Sequence, residues 1–348
     1  MRKIFIVLIF SILIFSNKVF SNAAAPGFYN TGGSSDFIPF FASDSTYLEK
    51  IQMQSELITV LLYPDFAVVR GEYNMLNLSG KEITFNTGYP INASFDNDVV
   101  SRISFEDIYG LKVFVDNKEV PNEKLKGGDS TFSFDERRTN LYNNWYVWKS
   151  NFKPNSITKV KVYFIVNTSN SILRKGYSKD HDNGFVYILE SGRAWAKNIE
   201  SGRINIQFMG GLNAKDIMGV SPNSKFTIND ERNSLIYDFK NLEPTPNDNI
   251  LIRYKKINDK FDFQSVLSET NNYYSEIDRI QPANIFGGSY KSFPANDFQV
   301  HSNSGEWVGF LLIFGIFGVP ILVFLAIIGV VIFIVVRRRR KKKQALTS

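Results

Sequence analysis

Between Trp307 and Val336 the chain runs for thirty residues without a charge, WVGFLLIFGIFGVPILVFLAIIGVVIFIVV, and then meets RRRRKKK. At a rise of about 1.5 Å per residue this stretch makes roughly 45 Å of helix, against a hydrocarbon core of ~30 Å. Such a run satisfies its own backbone inside lipid and finds no reason to stay in water. The surplus length predicts a tilted span, or a first turn in the interface with Trp307 as its aromatic anchor. Pro320, close to Gly318, predicts a kink. The basic block Arg337, Arg338, Arg339 and Arg340 with Lys341–Lys343 marks the cytoplasmic side by the positive-inside rule. Its cations also attract anionic head groups, at about 1 kcal/mol each near the surface. No sorting motif of the LPxTG kind precedes the run, where the sequence is HSNSGE, so a retained anchor is expected.

The opposite end has the three-part pattern of a secretory signal. Arg2 and Lys3 precede a twelve-residue apolar run, Ile4–Phe15, broken only by Ser11, and Ser21 and Ala23 suit a cut before Ala24. Together the two ends predict residues 24–306 outside and a short tail inside. They also explain the charge. The chain has 348 residues, 40 Lys+Arg, 34 Asp+Glu and a formal net charge of +6. Removing the three basic residues of 1–22 and the seven of 307–348 leaves 30 against 34 acidic ones, a body of −4. Bulk attraction to nucleic acid is therefore not expected.

Composition removes further chemistry. With no Cys there is no disulfide, thiolate metal site or cysteine nucleophile. Two histidines, His181 and His301, leave no multi-histidine metal site. No GxSxG elbow accompanies either of them. Asp180-His181-Asp182-Asn183-Gly184 lacks the spacing of a calcium loop, and Asn183-Gly184 reads instead as a turn. Sequons at Asn77, Asn92 and Asn167 are no more than an Asn-rich chain produces by chance.

The middle reads as β structure. Val160, Val162, Phe164 and Val166 alternate with Lys159, Lys161 and Tyr163, the period of a half-solvated strand. Similar runs occur at 67–76, 111–115, 185–189, 204–208, 235–239 and 250–254. Asp116-Asn117-Lys118-Glu119 reads as a hairpin turn. No long 3.6-period pattern appears between 50 and 255. The expected fold class is all-β: a β-sandwich ectodomain, one large or two in tandem, plus a single C-terminal transmembrane α-helix. The expected organisation is a signal peptide at 1–23, β-rich regions at 24–140 and 141–255, a cap or stalk at 256–306, the membrane helix at 307–336 and a basic tail at 337–348.

Several segments in order carry a resemblance. They are GFYNTGG at 27–33, IQMQSELI at 51–58, AVVRGEYNMLN at 67–77, ITFNTGYP at 83–90, WYVW at 145–148, FKP at 152–154, and YILESG at 187–192 with Trp195. This series resembles a family of bacterial exported domains of unknown function, which often carry a signal peptide and sometimes a C-terminal anchor. It covers most of residues 25–255. The resemblance implies a bacterial envelope setting and supplies no catalytic residues.

Candidate binding residues are the aromatics Trp145, Trp148, Tyr187 and Trp195, since exposed rings stack on sugars or anchor partners. Their competing role is core packing. The charged segments 135–138 and 190–193 offer carboxylates, but the glycosidase geometry of ~5–9.5 Å is not legible in a sequence. The expectation is a non-enzymatic, membrane-anchored extracytoplasmic protein without cofactor or metal. Its partners would be membrane lipid and an envelope protein or glycan. The alternatives are a membrane-tethered polysaccharide hydrolase and an accessory subunit of a membrane assembly.

Overall fold

The computed structural model describes residues 27–29, 37–39, 45–90, 101–104, 107–125, 145–169, 172–175, 182–222, 225–229, 231–245, 248–255, 260–280 and 291–293, with scattered positions between 314 and 337. It divides into two compact units, 1–300 and 301–348. In the first, β1 (Gly27–Tyr29) and β2 (Phe37–Pro39) pair, and α1 (Ser45–Leu48) leads into a long hairpin, β3 (Ile51–Leu62) and β4 (Phe66–Asn77). Next come β5 (Ile83–Pro90), β6 (Ser101–Ser104), β7 (Ile108–Val115), β8 (Lys118–Val120) and β9 (Glu123–Lys124). They are followed by β10 (Trp145–Phe152), β11 (Ile157–Asn167), β12 (Ile172–Lys175), β13 (Asn183–Tyr187) and β14 (Ile199–Phe208). The last strands are β15 (Ile217–Ser221), β16 (Phe226–Asn229), β17 (Ser234–Leu242), β18 (Ile250–Tyr254) and β19 (Lys291–Ser292). Helices α2 (Phe263–Ser268) and α3 (Thr270–Asp278) lie between the last two strands.

The architecture is mostly β, in several sheets. Nine strands form the largest, in the order β19-β16-β17-β14-β3-β4-β11-β7-β8. Its neighbours are antiparallel except β14 and β3, which run parallel from Ser201↔Ser55 to Phe208↔Leu62. That pairing joins strands from either side of residue 140 within one sheet. Two three-stranded sheets, β5-β10-β9 and β13-β18-β15, face the inner side of the large sheet. Ile58, Val69, Val162 and Ile204 from the large sheet share one core with Phe85, Phe152, Phe185 and Ile252 from the smaller ones. This layering fits a sandwich.

Local chemistry explains the elements. Asp116 and Asn117 have φ of +49° and +65°, so the β7–β8 hairpin turns through two left-handed residues, as its sequence predicts. On β11, Val160, Val162, Phe164 and Val166 are buried on the inner face. The outer face departs from the expected half-solvated pattern. Lys159 is exposed, but Tyr163 and Ile165 are buried at 5% and 0%, because α3 lies over that end of the sheet. Asn183-Gly184 also differs from its expected turn. Both residues belong to β13, and the Asn183 amide donates to the Pro64 carbonyl and to Asp65 Oδ1, tying β13 to the β3–β4 turn.

In the second unit Phe314–Gly318 forms a π-helical turn, and Pro320 and Arg337 are helical and exposed. Among the described residues no helix is long and apolar enough to cross a membrane. Trp307, Arg338, Arg339 and Arg340 lie outside the described residues, as do the signal segment, His181, His301 and the 135–138 loop.

Candidate functional site

Among the described residues, the outer face of the large sheet is left partly open. Alternation sends Leu57, Glu72, Lys161, Arg203 and Asp238 to this face at one level, matched across β3, β4, β11, β14 and β17. One level further from α3 lie Ser55, Asn74, Lys159, Ser201 and Lys240.

Arg70 fixes what is covered. It sits on β4 with a side chain only 5% exposed. Its Nη1 donates to the Ile277 carbonyl at 3.0 Å and to Asp278 Oδ1 at 3.1 Å. Its Nη2 donates to the Ile280 carbonyl at 3.2 Å and to Thr59 Oγ1 at 3.4 Å. Nε lies 3.2 Å from Glu72 Oε2. A cation at the C-terminal carbonyls of α3 satisfies acceptors that the helix cannot and opposes its dipole. Tyr163 donates to Asp278 Oδ1 at 2.7 Å, and Tyr63 donates to Glu276 Oε2 at 2.7 Å. Tyr274 donates to the Gly110 carbonyl at 2.7 Å. The Tyr63 and Tyr163 hydroxyls titrate above the ordinary tyrosine value, first through burial and then through the carboxylate each one bonds.

Beyond the helix the face is open and grooved. One groove of about 600 Å³ is lined by Leu57, Ser201, Arg203, Asp238 and Lys240. Another of about 350 Å³ is lined by Ser55, Glu72, Asn74, Asn117, Lys159 and Lys161. Asn74 Nδ2 donates to Ser55 Oγ at 2.8 Å. Arg203 and Asp238 form a two-pronged ion pair. The surface therefore offers hydroxyls, amides and ammonium groups beside the apolar atoms of Leu57, Phe239, Tyr73 and Val160, with Glu56 lining both grooves. Among the described residues no group of three His, Cys, Asp or Glu is placed to hold a metal ion.

The four aromatics singled out by sequence are all interior. Trp145, Trp148, Tyr187 and Trp195 are exposed by 7%, 3%, 2% and 5%. Trp148, Tyr187 and Trp195 belong to the common core, where the Trp195 ring lies 6.0 Å from Phe85. Tyr187 also enters a polar knot between sheets. Its hydroxyl is 2.9 Å from that of Tyr73, and both bond to Tyr89. Glu56, exposed by 4%, is opposite Tyr73 in the β3–β4 pairing. Burial pushes all three hydroxyls well above the ordinary tyrosine value, and the Glu56 carboxylate pushes in the same direction. They are neutral phenols at physiological pH, suited to holding sheets together rather than to moving protons.

Two glycines make room in this region. A Cβ on Gly71 would overlap the Tyr73 hydroxyl, and one on Gly202 would overlap the Phe239 ring. The open face and the Arg70 anchor escape sequence reading because both depend on which strands adjoin. Their only local signal is the pair Lys159 and Lys161, two apart on one strand.

No family profile and no curated relative matches the sequence. Among solved structures, a candidate nutrient-binding protein from Legionella pneumophila aligns at 14% identity with a TM-score of 0.40, over 59% of this chain and 67% of its own. An M1 zinc metallopeptidase from Deinococcus radiodurans aligns at 6% identity and TM-score 0.31, over 59% of this chain and 43% of its own. The yeast LTA4 hydrolase aligns at 12% identity and TM-score 0.32, over 71% of this chain and 37% of its own. The chain thus spans under half the length of the two enzymes, and likenesses of this size assign it neither ligand nor reaction.

Proposed function

We propose that the chain is a single-pass, membrane-anchored envelope protein whose β-rich body faces away from the cytoplasm and binds another envelope component without catalysis. The thirty-residue uncharged run before RRRRKKK carries this reading. The second unit supports it with apolar side chains left open: Ile316 is 63% exposed, Phe324 62% and Phe333 64%. Rings and branched chains at that exposure cost free energy in water and none in lipid. The body supports it with a broad open face that carries hydroxyl, amide and ammonium groups.

The absence of cysteine gives a clean test. Single-cysteine variants of the full chain, Asn272→Cys on the exposed side of α3 and Ser348→Cys in the tail, are treated with a membrane-impermeant maleimide on spheroplasts. The expected result is labelling of Asn272→Cys at once and of Ser348→Cys only after permeabilisation. The reverse pattern overturns the topology, and labelling of both in the soluble fraction overturns the anchor.

A further inference from the structure

The second of the two levels described on the outer face holds basic groups at its ends and no acid among its five residues. It runs Lys240, Ser201, Ser55, Asn74, Lys159 across five neighbouring strands, with Lys161 one level above. At about 4.8 Å between strands, the lysines at its ends stand roughly 19 Å apart. Of the acids nearby, Glu119 is exposed two strands from Lys161, and four others have partners. Asp238 pairs with Arg203, Glu72 and Asp278 flank Arg70, and Asp116 Oδ1 accepts the Lys159 amide at 2.9 Å. Lys159 and Lys240 make no ion pair among the described residues, and Lys161 lies over the Tyr163 ring at 5.9 Å. Three lysines without an ion-pair partner among the described residues thus line one strip of a body whose own charge is negative.

We infer that this strip is a docking surface for an anionic polysaccharide of the envelope, laid across the strands so that its acidic groups meet Lys240 at one end and Lys159 and Lys161 at the other. The inference rests on the envelope location proposed above. The chemistry between the lysines favours a glycan over an acidic protein. Ser201, Ser55 and Asn74 present hydroxyl and amide groups that exchange hydrogen bonds with sugar hydroxyls. A protein partner would want a buried aromatic or aliphatic anchor, and Leu57 is the single apolar side chain among the ten residues named on these two levels. Both grooves lie along the strip, one on each side of β3.

The test uses the full chain in micelles of uncharged detergent, with immobilised polygalacturonate as the anionic glycan. Dextran serves as the neutral glycan and poly-glutamate as the acidic peptide. The native protein should bind polygalacturonate with an affinity that falls steeply with salt. The triple variant Lys159→Gln, Lys161→Gln, Lys240→Gln should lose about tenfold and show a shallower salt slope. The control Lys149→Gln, Lys153→Gln, Lys215→Gln removes the same charge from exposed positions elsewhere and should change binding less than about twofold. Failure of the native chain to bind, equal loss in the control, or equal binding of dextran overturns the inference. Poly-glutamate binding as tightly as polygalacturonate also overturns it, in favour of an acidic protein. Topology is read separately by the cysteine labelling, so loss of either result leaves the other standing.

Discussion

Gly202 shows how much one absent side chain can decide. It lies on β14 opposite Phe239, and the Phe239 ring occupies the space a Cβ would need. Gly202→Ala should therefore destabilise the fold by about 1–3 kcal/mol, the usual cost of overpacking. Pairing it with Phe239→Leu should recover part of that loss in a denaturant titration. Equal midpoints for the single and double variants would show that the ring is not the cause. Asn77 and Asn167 teach a related lesson about legibility. Both read as chance sequons, yet each ends a long strand in the same way. The side-chain oxygen accepts from the backbone N–H and the hydroxyl of the serine two residues on. This is the Asx turn that such triplets favour. The motif was visible, but its role depended on where β4 and β11 stop. The four candidate aromatics were visible in the same sense. Whether a ring faces sugar or core depends on which sheet covers its strand, and the small sheets come from distant sequence.

Among elements, the strands were the most legible and the helical cover the least. Alternation located β4 and β11, and short apolar runs located β7, β14, β17 and β18, where consecutive residues such as Ile250, Leu251 and Ile252 are all buried. Nothing near β11 reveals that Tyr163 is covered by a helix more than a hundred residues further along. That cover depends on Arg70. Its guanidinium is the shared partner of the Ile277 and Ile280 carbonyls and Asp278, and Ile277 beside it is fully buried. Arg70→Met keeps the length of the stem and removes the charge. It leaves acceptors unpaired beneath α3, at a cost of about 3–5 kcal/mol. The damage should stay at one end of the sheet. Hydrogen exchange should accelerate in 263–280 and at the β4–β11 edge while β13 and β18 keep their protection. Uniform acceleration across the body would mean that Arg70 supports the whole fold and not this element alone.

At the scale of the molecule, the parallel β14–β3 pairing makes one sheet from both halves of the body, so a boundary near 140 is not a place where the structure divides. Unfolding followed by tryptophan emission and by far-ultraviolet circular dichroism should give coincident transitions, because Trp145, Trp148 and Trp195 are buried in layers that share that core. Two separated transitions would show that the halves fold independently. The tyrosine knot gives this cooperativity a pH limit. Tyr73, Tyr89 and Tyr187 come from β4, β5 and β13, three different sheets, and Tyr254 on β18 is likewise fully buried. Burial raises all four hydroxyls well above the ordinary value of about 10. An acid whose folded-state pKa is raised contributes stability that is present below the unfolded value and lost as pH climbs above it. Above pH ~10 the unfolded chain releases these protons and the native chain holds them. Each such tyrosine then weakens the fold by about 1.4 kcal/mol per pH unit. Stability should be level from pH 7 to 9 with respect to these groups, then fall by about 5 kcal/mol per unit for the four together. Tyr187→Phe keeps the ring in place and removes one titrating group. Its loss of stability between pH 10 and 11 should be smaller than native by up to about 1.4 kcal/mol. An unchanged slope would mean that Tyr187 ionises in the folded protein, and that the layers are looser around the knot than its burial implies.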